Sequence, residues 1–154
     1  MPFELPKSAL EAKHWTWDNY KPFYEELEAR PITANTVDEW LSDRNAVDNL
    51  MGEVFSRARV AITQDTSDEE AEAYFKNLMA TMYQPASEMD NRLDKKLVES
   101  GFVPENFELP LKKMKSEIAL YREENIPLVI RQQGISMEYG KTTGAQTIQW
   151  EGEE

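Results

Sequence analysis

Apolar residues recur along this chain in steps of three and four, the spacing that lines up one face of an α-helix. Trp17, Tyr20, Tyr24 and Leu27 form the first such stripe and predict a helix over about 17–29. Pro22 is expected in or near its first turn, where a missing N–H costs little, and Pro31 ends it. The next stripe runs through Val37, Trp40, Leu41, Val47, Leu50, Met51, Val54, Ala58 and Ile62. Thr36 precedes it, with Glu39 three residues on, the pattern of a capping box. The predicted helix, from Thr36 to Thr63, has about 27 residues and is roughly 40 Å long at 1.5 Å per residue.

A short turn leads to a second capping-box pattern, Ser67 with Glu70. Asp68, Glu69 and Glu70 fall in the first turn, where the helix dipole favours negative charge. The stripe continues through Tyr74, Phe75, Leu78, Met79, Met82, Ala86, Met89, Leu93 and Leu97, with Gly101 as the expected C-cap. Pro85 should kink this helix midway. Two long helices joined by so short a turn predict an antiparallel hairpin, Thr36–Thr63 against Asp68–Ser100.

Pro110 opens a further helix with Leu111, Met114, Ile118 and Tyr121 on one face, broken at Asn125-Ile126-Pro127. Another helix is expected from about Leu128 to Lys141, despite the helix-weakening Gly134 and Gly140. Ala145 to Trp150 alternates and is β-branched, and so predicts a strand. The organisation expected is an extended arm over 1–13, a helical domain over 14–144, and the start of a strand or hairpin over 145–154. The fold class is all-α, with shorter helices packed on the hairpin and one short C-terminal strand. A lone strand leaves backbone groups unpaired, so either it adds to a partner or the second strand of its hairpin lies beyond Glu154.

Composition narrows the function classes. Acidic residues outnumber basic ones 29 to 17, for a formal net charge of -12. That field repels phosphate backbones and anionic membrane surfaces, so neither nucleic acid nor a membrane is an expected partner. No cysteine is present, which excludes disulfides, thiolate metal sites and a thiol nucleophile. The N-terminus has no signal-peptide pattern, and no stretch approaches the ~18 apolar residues of a membrane span. A cytoplasmic, soluble protein is the expectation.

Candidate chemistry is sparse. His14 is the single histidine, beside Trp15 and Trp17, and reads as a packing or surface residue. Glu25-Glu26, Asp68-Glu69-Glu70 and Glu123-Glu124 read as solvated or dipole-complementing charge. One histidine cannot supply the two Glu-x-x-His motifs of a di-iron bundle. Gly140-Lys141-Thr142 lacks the earlier glycine of a phosphate-binding loop, because Ile135 stands there and Gly134 is off by one. Met79, Met82 and Met89 share a stripe and fit a core better than a partner-binding face. The four tryptophans point to large buried contacts. No catalytic residue, cofactor-binding residue or metal ligand is expected in the chain.

Four segments carry a family resemblance: DNYKPFYEELEARPITANTVDEWLSDRNAVDNL, TQDTSDEEAEAYFKNLM, FELPLKKMKSEIALYREENIPL and EYGKTTGAQTIQWEGEE. In order and spacing they resemble the N-terminal helical region of oligoendopeptidase F-like zinc peptidases, relatives of the thimet oligopeptidase group. The resemblance implies a larger helical parent with a deep channel between two lobes. There, an H-E-x-x-H helix binds zinc through two histidines, a later glutamate is the third ligand, and short unstructured peptides are cut. This chain has no H-E-x-x-H, so no ligand or catalytic residue carries over. The resemblance implies zinc in the parent and none here, with the parent's catalytic domain and short peptides as partners. It further implies that these residues form a wall or lid of the channel and are inactive alone. A free-standing acidic helical interaction module is the alternative.

Overall fold

Tyr20, Phe23, Tyr24 and Leu27 are all buried on one face of α1 (Trp17–Ala29) in the computed structural model, which describes residues 4–147. The Asn19 side-chain oxygen accepts the Thr16 N–H at 2.9 Å and closes the start of this helix. Pro22 lies inside α1 rather than in its first turn. An interior proline costs a helix about 3 kcal/mol. Burying each of the four large side chains is worth roughly 1.5–3 kcal/mol, so packing outweighs the proline.

Five more α-helices follow among the described residues: α2 (Val37–Gln64), α3 (Glu69–Thr81), α4 (Tyr83–Ser100), α5 (Glu108–Leu120) and α6 (Ile126–Gly144). A single 3-10 turn, Glu123–Asn125, separates the last two. α2 packs on α1 and α3, and α4 packs on α1, α3 and α5. α6 touches the rest chiefly through α3 and the 3-10 turn. The core is built from Tyr20, Phe23 and Leu27 of α1, Trp40 and Val47 of α2, Leu78 of α3, and Leu93 and Leu97 of α4. Before α1, residues 9–14 form turns that bury Ala9 and Ala12, and the Tyr74 hydroxyl donates to the Lys13 carbonyl at 2.7 Å.

Several sequence expectations need correcting. The helix expected over Asp68–Ser100 is two helices that meet at Met82, which caps the end of one and the start of the next. A proline ring crowds the carbonyl four residues earlier. For Pro85 that carbonyl belongs to Thr81, the last residue of α3, so the break falls one turn before the proline. Neither predicted capping box forms. The Thr36 hydroxyl turns back and accepts the Thr33 N–H at 3.0 Å. The cap of α3 is Asp68, whose carboxylate accepts the N–H groups of Glu70 and Ala71 at 3.0 and 2.9 Å. Ser67 bonds to Asp65 instead.

The expected C-terminal strand is not seen in the described residues. Ala145 caps α6, and Gln146 and Thr147 take no regular structure. The rest of that stretch, 148–150, lies outside the described residues. Gly101 does cap α4, with a left-handed φ of 71° that a side chain would strain. Among the described residues no helix is long and apolar enough to cross a membrane.

Candidate functional site

Arg44 sits on the buried stripe of α2, between Leu41 and Val47, and is only 6% exposed. A guanidinium cannot lose its charge there, so it must be paired. Its Nη2 lies 2.6 Å from Asp94 of α4, and its Nε lies 3.4 Å from Asp48, one turn along α2. The Tyr24 hydroxyl of α1 donates to Asp48 at 3.2 Å. Arg44 also stands over the Trp40 ring, 5.8 Å from its centroid. Three helices are thereby joined through one cation.

A third carboxylate, Asp90, lies one turn before Asp94. Its Oδ1 is buried with no hydrogen-bond partner. Burial, then the neighbouring Asp48, pushes its pKa from 3.8 up to about 7. Burial also raises Asp48, against the pull of Arg44 and the Tyr24 hydrogen bond. Burial raises Tyr24 too, with Asp90 and Asp48 adding to it. Burial works against the charge of Arg44, but Asp94 and Asp48 outweigh it and the net shift is upward.

This cluster floors an open groove of about 630 Å³ between α2 and α4, flanked by α3, α5 and α6. Met51, Phe55, Phe75 and Met79 supply its apolar lining, and Arg59 and Glu117 stand at its edge. An apolar groove with a few charged groups at its base is suited to gripping a chain segment or small ligand by shape, with charge setting orientation.

Apart from Met79, which lines the groove, the residues weighed in the sequence are placed elsewhere. His14 is exposed, before α1. Glu25 pairs loosely with Lys21 at 3.6 Å on the surface, and Glu26 pairs with Arg30 at 2.7 Å. Glu123 and Glu124 are exposed in the 3-10 turn. Lys141 lies in the last turn of α6 and pairs with Glu72, while the hydroxyls of Thr142 and Thr143 return to their own helix. Met79, Met82 and Met89 are core. Of the tryptophans, Trp40 is fully buried, Trp15 packs on Tyr20 and Phe23, and Trp17 packs on Tyr24.

The Arg44 cluster escaped the sequence reading. Its signal was there: Arg44 and Asp48 on one helix, Asp90 and Asp94 on another, each pair four residues apart and set among apolar stripe positions.

Residues 8–114 match the peptidase M3 N-terminal domain. The chain belongs to that family. Neither the curated proteins nor the solved structures offered a match. M3 peptidases are zinc enzymes, and an N-terminal domain of one implies a catalytic domain in the same chain. Zinc takes three or four His, Cys or carboxylate ligands. Among the described residues of this M3 domain, no group of three such side chains is placed to hold a metal ion. The described residues therefore do not fit the family's metal.

Proposed function

We propose that this M3 N-terminal domain forms a wall or lid of the peptide channel in an oligoendopeptidase F-like zinc peptidase, and so restricts substrates to short, unstructured peptides. The observation that carries this reading is the family match over residues 8–114. Zinc, its H-E-x-x-H helix and the attacking water belong to the catalytic domain. The helical region 14–144 contributes no catalytic group and is inactive alone. Residues 145–154 lead toward the catalytic region, and the enzyme works in the cytoplasm.

Exposed apolar side chains support a missing neighbour. Leu109 and Leu120 of α5 and Leu128, Ile135 and Tyr139 of α6 are all more than half exposed. So many large apolar groups on two adjoining helices are a liability unless another surface covers them.

The reading frame after codon 154 is the first test. It should continue into an H-E-x-x-H helix, and a stop codon there would remove the proposal in favour of a free-standing interaction module. The enzyme so encoded should cut a short quenched-fluorescent peptide and spare the same sequence displayed on a folded protein. Equal cleavage of both would overturn the size restriction. Turnover by the 154-residue chain alone, with zinc added, would overturn the assignment of the chemistry to the other domain.

A further inference from the structure

Three carboxylates surround one guanidinium at the junction of α1, α2 and α4. Asp48 and Asp94 are engaged by Arg44. Asp90 Oδ1 is left buried and without a hydrogen-bond partner. With all three ionised, the site would hold three negative charges against one positive charge, in surroundings where like charges repel strongly. One proton relieves this, and Asp90 is the group with no cation of its own.

We propose that this cluster is a proton-operated joint: Asp90 holds a proton when α4 is seated on α1 and tied to α2 through Arg44, and losing that proton loosens the α2–α4 groove. The charged and titratable groups that face Asp90 or share its groove are consistent with this. α1 supplies Tyr24, α2 supplies Arg44, Asp48 and Arg59, α4 supplies Tyr83 and Asp94, and α5 supplies Glu117. α3 brings only Phe75 and Met79, and α6 only Val129 and Gln133, none of which is charged. Arg44 pairs with Asp94 and Asp48 and only partly offsets the upward push on Asp90, and Arg59 is not among the groups that act on it. The upward shift of Asp90 to about 7 places the transition near neutrality. The groove is thereby set tighter in mild acid and looser in mild base, whatever segment it grips.

The test is the pH dependence of the chain and of Asp90→Asn, which keeps the shape of the protonated carboxyl and cannot ionise. Thermal midpoints of the wild-type chain should fall by several degrees between pH 5 and pH 8. Those of D90N should stay nearly level and lie above wild type at pH 8. Hydrogen exchange in α4, corrected for its intrinsic rate, should quicken with pH in the wild type and not in D90N. Parallel profiles for the two proteins would overturn the proposal. Carbon-13 titration of the wild-type aspartates provides a reading that holds even if D90N folds poorly. An Asp90 carboxyl that titrates in the ordinary range would equally overturn it.

Discussion

Lys96 of α4 closes the end of a different helix. Its ammonium donates to the Leu27 carbonyl at 2.9 Å, to the Glu28 carbonyl at 2.5 Å and to the Arg30 carbonyl. The Trp40 indole N–H also reaches Leu27, at 2.8 Å. The last turn of α1 leaves carbonyls without helical partners, and these two side chains supply the donors. Lys96→Met keeps the aliphatic stem and removes all three donations. We expect it to cost about 1–3 kcal/mol, the range for losing charged hydrogen bonds to partly buried acceptors, read as a lower urea midpoint with unchanged slope. Trp40→Phe should cost at least as much, because it also leaves space beside a fully buried ring. Neither role was legible in the sequence. A lysine between Leu93 and Leu97 reads as a solvated residue of a polar face, and only tertiary packing brings it to the end of α1.

Helix existence was legible, and helix punctuation was less so. Apolar steps of three and four located α1, α2, α5 and the stretch that divides into α3 and α4, because burying one stripe is what stabilises a helix in a protein. Caps depend on single hydrogen bonds, and neighbouring polar residues compete for the same role. At 65–68 there were four candidates, Asp65, Thr66, Ser67 and Asp68, and Asp68 took the cap while Ser67 folded onto Asp65. Asp68→Ala is therefore expected to cost about 1 kcal/mol. Ser67→Ala should stay within about 0.5 kcal/mol, as an exposed change away from the cap; equal losses by chemical denaturation would put the cap back on Ser67. α6 is the weakly held element. Its anchors are buried Ile126, partly buried Ile130 and Met137 packed against the core, the Lys141–Glu72 pair, and the close seat of Gly144, where an added Cβ would lie 2.9 Å from the Thr66 hydroxyl. Gly144→Ala should therefore speed amide exchange in α6 while leaving α1 and α2 protected. The strand expected over Ala145 to Trp150 rested on alternation and β-branched residues, and such a stretch takes strand form only where a partner strand pairs with it.

Across the whole molecule, opposing groups set a stability maximum in mild acid. Asp90 and Asp48 have raised pKa values. Between the ordinary aspartate value of 3.8 and about 7 for Asp90, the folded chain binds more protons than the unfolded one. Stability therefore falls as pH rises through that window. Glu26 is held low by its hydrogen bond to Arg30, and Glu72 by those to Lys141 and Lys76. Their contribution is present above 4.5 and is lost as pH drops through their depressed folded values. Neither carboxylate is fully buried, so solvent screening keeps that acid limb shallow. A net charge of -12 adds self-repulsion that also weakens the fold as pH rises above the pI of about 4.6. The two causes of the alkaline decline separate with salt. At 1 M ionic strength the screening length is about 3 Å, which removes repulsion spread over the surface and leaves the buried Asp48–Asp90–Asp94 contacts largely intact. In high salt the wild-type chain should keep most of its decline between pH 5 and 7, and Asp90→Asn should lose it. A decline that salt abolishes in both proteins would assign the whole effect to surface charge, and the buried cluster would then be a static strut between α2 and α4.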